Sequence, residues 1–301
     1  MRQPHLKTSS RSTFASLRTA LAALLLLGWS ALPSAAQSPA AAAPRLLVVC
    51  APGYPGSTAE AQPAMDALAG AVGAAAGWKP GELAGVYFAS ESAGLARLAA
   101  PAATLALVPL NFFLEHRESL ELVPLSQAIQ QGGETAEPWS LVAGKGLVTG
   151  PASLAGFELI SLAGNTPRFV RGPALAAWGA LPADLKIVFS GALLSGLRRA
   201  AAGEKVALLL DRGQTAALAT LPSAPQLEIV TRSPPLPVSV LCALGDRLPA
   251  ARQKAFVAAL SNLASTPAGA EALAGVRLAR FVPADAKALA SAGDAYARAQ
   301  N

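Results

Sequence analysis

Short, continuous apolar runs recur along the chain, and between them apolar residues fall at helical spacing. Runs bounded by turn residues suit strands covered on both faces, as in a parallel sheet beneath helices. They predict strands at residues 46–50, 82–88, 104–108, 121–125, 139–143, 157–162, 185–189, 206–210, 227–230 and 238–243. Met65, Leu68 and Val72 recur at helical spacing after the first run. Further helices are predicted at 93–98, from Thr166 towards Trp178, at 192–202, 249–263 and 266–273, with 111–117 a loop or a short helix. The segment 249–263 is amphipathic: Phe256, Leu260 and Leu263 share a face that excludes Arg252 and Lys254. Strands alternating with helices imply an α/β fold.

The first strand, loop and helix organise the rest. Pro52, Gly53, Pro55 and Gly56 end the strand and force a loop. Ser57 and Glu60 have capping-box spacing, so a helix can begin there. Pro63 favours a start nearer Gln62, because proline sits best in a first turn. Thr166 followed by Pro167 reads as an N-cap and a first helical residue.

Two breaks divide the pattern. Gly132, Gly133 and Pro138 mark one, and Pro234, Pro235 and Pro237 the other. The expected architecture is two lobes joined by two crossovers, with a ligand cleft between them. Residues 44–137 and 236–301 form the first lobe and 138–235 the second.

Composition narrows the class. Hydrophobic residues make up 52% of the 301 and charged residues 14%, which excludes a disordered or nucleic-acid-coating chain. The net charge of +6 owes much to Arg2, Lys7, Arg11 and Arg18, which precede the apolar stretch 20–27. A basic segment, a short apolar core and Ser34-Ala35-Ala36 before Gln37 read as a secretory signal peptide over 1–36, followed by an Ala/Pro linker over 37–43. The expectation is Sec-type export to the periplasm.

Candidate chemistry is sparse. Cys50 and Cys242 both close apolar runs; they can pair in an oxidising compartment or serve as small buried hydrophobes. The only histidines are His5 and His116, so no His/Cys metal cluster is expected, and any histidine-based hydrolase must use His116. No Gly-x-Ser-x-Gly elbow accompanies it.

Several segments together resemble the type 2 periplasmic solute-binding proteins, in particular the phosphate/phosphite/phosphonate-binding group of ABC transporters. They are Leu107 to Phe113, then Phe189 to Gly191, with Leu197 to Glu204 and Leu208 to Asp211 following. Ser233 to Pro237 is similar to the return crossover, and Gly269, Leu273 and Phe281 to Asp285 to the C-terminal signature. Thr104 and Val206 depart from the pattern, which has Asp at both places, and the anion loop of the second lobe is reduced to Asn165 and Thr166.

The resemblance implies a non-catalytic monomer without cofactor or nucleic-acid partner, which captures a small anion and delivers it to an ABC permease. Strand ends and helix starts are where such folds bind ligands. The candidate ligand-binding residues are Tyr54, Ser57, Thr58, Asn111, Thr166, Arg168, Ser190 and Asp211. Arg168 offers a bidentate charge-assisted pair. Two alternatives remain open: a sensor or interaction module on the same fold, and a small-ester or phosphate hydrolase built on His116.

Overall fold

The computed structural model describes residues 43–299, so the expected leader and nearly all of the linker lie outside the described residues. The chain begins β1 (Arg45–Cys50), α1 (Thr58–Ala75), β2 (Leu83–Phe88), α2 (Glu91–Ala99), β3 (Ala103–Pro109), α3 (Leu110–His116) and β4 (Leu122–Gln130). A two-residue strand, β5 (Ala136–Glu137), leads to β6 (Ser140–Gly144), β7 (Glu158–Ser161), α4 (Pro167–Phe169), β8 (Lys186–Phe189), α5 (Leu193–Ala201), β9 (Val206–Leu210), α6 (Arg212–Ala217) and β10 (Leu227–Arg232). A second short strand, β11 (Leu236–Pro237), leads to β12 (Ser239–Leu244), α7 (Ala250–Asn262), α8 (Pro267–Gly275), β13 (Leu278–Pro283) and α9 (Ala286–Arg298).

The strands form two main sheets. One runs β2-β1-β3-β12-β4-β13 and the other β8-β7-β9-β6-β10. In the first, β1 is parallel to β2 and β3, while β12 runs antiparallel between β3 and β4. In the second, β7 is parallel to β8 and β9, and β6 lies antiparallel between β9 and β10. The same pattern of directions thus occurs twice. The connecting segments pair with each other: β5 and β11 are antiparallel, Leu236 facing Glu137 and Pro237 facing Ala136.

Burial explains the apolar runs. Every residue of β9, and all of β3 but its last, is buried. Along β1 the side chains alternate between two cores. Leu46, Val48 and Cys50 pack with Leu98 of α2 and Phe112 of α3. Leu47 packs on the opposite face with Leu68 and Val72 of α1, Phe256 of α7 and Leu273 of α8. Each such side chain contributes about 1.5–3 kcal/mol on burial. A third cluster joins Val142, Ile160 and Leu208 of the second sheet to Leu197 and Ala200 of α5. Among the described residues no helix is long and apolar enough to cross a membrane.

Three local expectations are corrected. Helix α1 starts at Thr58, not near Gln62, because Ser57 and Glu60 complete a capping box and Pro63 is accommodated inside the helix. The helix expected from Thr166 to Trp178 is only a short α4 followed by one wide turn over Val170–Ala174. Pro173 lies in that turn, and a Cβ on Gly172 would meet the Ala295 carbonyl of α9 at 2.6 Å, so packing fixes the irregular path. Ser190 does not open α5, whose N-cap is Ala192; the Ser190 hydroxyl instead accepts from the Ala192 N–H at 3.0 Å. Sequence reasoning did not assign α6, β13 or α9 as elements.

The cysteines are free and buried. They lie on β1 and β12 with β3 between them, roughly 10 Å apart at ~4.8 Å per strand, which is too far for a disulfide. Burial, helped by the Glu91 carboxylate, pushes the Cys50 thiol up to about 12. Burial alone raises that of Cys242.

Candidate functional site

The loop after β1 brings Tyr54 against the second sheet. Gly53 makes this approach possible: its φ is +78°, and a Cβ there would lie 2.8 Å from Leu162 and 3.0 Å from the Phe189 ring. The Tyr54 hydroxyl then donates to Oδ2 of Asp211 at 2.8 Å. Asp211 sits where β9 ends and caps α6, its side chain accepting from the Gln214 N–H at 2.8 Å. Burial first, and the Asp211 carboxylate second, hold the Tyr54 phenol well above its ordinary range. The Tyr87 hydroxyl donates towards the carbonyls of Tyr54 and Pro55, both at 3.3 Å, and steadies the loop.

The start of α1 is already satisfied from within. The Ser57 N–H and hydroxyl both donate to Oε2 of Glu60 at 2.8 Å. Those bonds, the backbone one first, hold the exposed Glu60 carboxyl below its usual value. Thr58 donates its hydroxyl to the Tyr87 carbonyl at 2.8 Å.

A second polar link crosses between the sheets at the N-terminal end of α3. Asn111 is buried, and its Nδ2 donates to Oγ1 of Thr166 at 3.4 Å and to Oδ1 of Asn165 at 3.5 Å. Thr166, wholly buried, makes no side-chain cap on α4. Asn165 Nδ2 donates to Oε2 of Glu91 at 2.8 Å. The other Glu91 oxygen meets His116 Nε2 at 2.8 Å, and the imidazole packs on the Phe112 ring at 4.5 Å. Glu91 belongs to the first turn of α2, where the helix dipole favours a carboxylate. It lines a cleft of about 590 Å³ together with Ala89, Ser90, Ser92, Leu95 and Phe189.

The arginines point elsewhere. Arg168 donates to the Tyr296 carbonyl at 3.2 Å, and its guanidinium lies 4.3 Å from the centroid of the Tyr296 ring on α9. Arg212 bonds the Gly132 carbonyl and lies 3.9 Å from the Glu137 carboxylate. Of the residues singled out in the sequence, Tyr54 and Asp211 therefore meet, and Asn111 and Thr166 meet. Ser57, Thr58 and Ser190 are engaged with neighbours near in sequence or with backbone, and Arg168 is committed to α9. Glu91, Asn165, His116 and Tyr87 complete the network. Glu91 reads in the sequence as an ordinary acidic first-turn residue, and nothing local marks it as reaching the other sheet. Among the described residues no group of three or more His, Cys, Asp or Glu is placed to hold a metal ion.

Two α/β sheets of matching strand pattern, joined by a paired crossover and linked by the pairs Tyr54–Asp211 and Asn111–Thr166, make up the two-lobed fold of the periplasmic binding proteins. The chain is similar in fold to a Xanthomonas citri protein bound to chloride ion, at 14% identity and TM-score 0.65, over 84% of this chain and 97% of that one. It is similar to a binding protein component of an ABC phosphonate transporter from Pseudomonas aeruginosa, at 12% identity and TM-score 0.59, over 82% and 83%. It is also similar to PhnD1 from Prochlorococcus marinus in complex with methylphosphonate, at 16% identity and TM-score 0.57, over 82% and 95%. Identities this low speak for the fold alone. The sequence goes further: residues 174–289 match the family of the ABC transporter, phosphonate, periplasmic substrate-binding protein. The resemblance read from the sequence is thereby borne out, and the matched family is a transporter's substrate-binding component. A comparison with curated protein sequences finds no match.

Proposed function

We propose that this chain is the solute-binding component of an ABC transporter, exported to the periplasm with cleavage after Ala36. It binds a small phosphate- or phosphonate-like solute between two lobes, 44–137 with 236–301 and 138–235, and hands it to a permease without chemical change. It works as a monomer. The observation that carries this reading is the set of polar side chains that meet between the two sheets, Tyr54 with Asp211, Asn111 with Thr166 and Asn165 with Glu91, in a chain whose residues 174–289 match a phosphonate-binding transport family. Tyr54, Asp211, Asn111 and Thr166 are the proposed contacts, and Ser57, Thr58 and Ser190 support the loops that present them. Arg168 is proposed to hold α9 in place rather than to touch the solute.

A thermal-shift screen of phosphate, phosphite, alkylphosphonates, sulfate and amino acids tests the reading. A ligand that binds only the folded state at about 100 times its Kd stabilises by ~2.7 kcal/mol, roughly 5–10 °C in a domain of this size. A melting temperature unmoved by every solute in the set argues against solute capture.

A further inference from the structure

We infer that Glu91 is an intramolecular competitor for the solute site: its carboxylate occupies the hydrogen-bonding place of a ligand oxyanion and sets how tightly anions bind. This rests on the solute-binding reading above. An oxyanion captured between two lobes must accept hydrogen bonds from donors on both. Glu91 already does so. Oε2 accepts from Asn165 on the second sheet's side at 2.8 Å, and Oε1 meets His116 on α3 at 2.8 Å. Behind Asn165 stands buried Asn111, which ties Asn165 and Thr166 to the first sheet. The chain of contacts from His116 through Glu91 and Asn165 to Asn111 thus bridges the sheets through a carboxylate that is not a ligand's.

The remaining charges leave Glu91 in control. Asp211 adds a second carboxylate beside Tyr54. Arg168 and Arg212, the cations nearest in sequence to the proposed contacts, are bound to Tyr296, and to Gly132 and Glu137. The Glu91 side chain retains 30% exposure and lines the cleft, so it can swing away without unfolding α2. An incoming phosphonate must release Asn165 and His116 from Glu91 and then sit near the carboxylate it displaced. A site that is free only part of the time binds with an apparent Kd raised by the reciprocal of that fraction.

The test is calorimetric titration of methylphosphonate, phosphite and inorganic phosphate into the wild type, Glu91→Gln and Glu91→Ala. Glu91→Gln keeps the shape and an acceptor for Asn165 but removes the charge. Glu91→Ala removes the competitor altogether. At least one of the three anions is expected to bind both variants about tenfold or more tighter than the wild type, the step associated with one charge-assisted hydrogen bond. Circular dichroism on all three proteins confirms equal folding, and a buffer free of sulfate and phosphate removes competing anions. Equal affinity, weaker binding in the variants, or no binding of any anion by any of the three overturns the role of Glu91. Those outcomes leave solute capture standing if the thermal-shift screen finds a ligand for the wild type, and sink it too if the screen is silent.

Discussion

Replacing Tyr54 with Phe removes one oxygen atom and one contact between the sheets. The hydroxyl donates to Oδ2 of Asp211 at 2.8 Å. A hydrogen bond to a charged group is worth about 1.5–3 kcal/mol. The lower end applies here, because Asp211 is half-buried and keeps its bond from Gln214, so water can replace part of the loss. The expected destabilisation is about 1.5 kcal/mol, or roughly 3–6 °C in melting temperature. Asp211→Ala should cost more than the shared bond alone, because Asp211 also caps α6. A double-mutant cycle removes that difference: with Tyr54→Phe and Asp211→Ala, the coupling should come out near 1 kcal/mol. Differential scanning calorimetry at neutral pH on the four proteins provides the measurement. Strict additivity, or a Tyr54→Phe protein within 0.3 kcal/mol of the wild type, would show that the two sheets do not meet through this bond in solution.

Arg168→Ala should lower stability by about 1–2 kcal/mol through loss of its contacts with Tyr296, while leaving solute affinity unchanged; a tenfold weaker ligand Kd with an unaltered melting temperature would reverse that assignment. Alkali should destabilise the fold. Cys50, raised to about 12, and Tyr54, also raised, contribute stability that is complete below their unfolded-state values near pH 9 and 10. That stability is lost as pH climbs towards and through the folded-state values, at up to ~1.4 kcal/mol per pH unit for each group, so Cys50→Ala should flatten a urea-midpoint profile between pH 9 and 11. Gly164→Ala should lower the melting temperature by several degrees, since its Cβ would fall 2.3 Å from the Val188 carbonyl oxygen and only backbone surrounds it; an unchanged melt would mean that this loop sits further from β8.

The strands were the most legible part of the chain. The buried run of β9 is apolar at every position, and that of β3 departs from this only at Thr104, because both faces are covered, and such runs announce themselves. The crossovers were visible for a different reason: proline and glycine gather at Gly132, Gly133, Pro234 and Pro235, where the chain leaves one sheet for the other. Helix α9 was missed because its apolar positions are mostly alanine, and its place depends on Arg168 and Glu115 reaching Tyr296 from far along the chain. The polar links between the sheets were half legible. Tyr54, Asn111, Thr166 and Asp211 stand at strand ends and helix starts, where position alone recommends them. Glu91 meets Asn165 across 74 residues, and a pairing so distant leaves no local mark. Arg168 shows the converse: a guanidinium has a long reach, and its contacts with Tyr296 of α9 leave no local mark either.

The place of β12 bears on how the chain acquires its shape. It is the fifth of the six strands of the first sheet to appear in sequence, yet it lies at the centre, between β3 and β4. Until residues 239–244 arrive, β3 and β4 have no neighbour to join them, whereas the second sheet, continuous from Ser140 to Arg232, has all its strands in hand. Pairings between segments so far apart are slow to form, because loop closure must precede the contacts that reward it. The second sheet is therefore expected to form as the earlier, self-contained unit, with the first closing when β12 slots into it. A chain built this way keeps its first sheet open until β12 has been made.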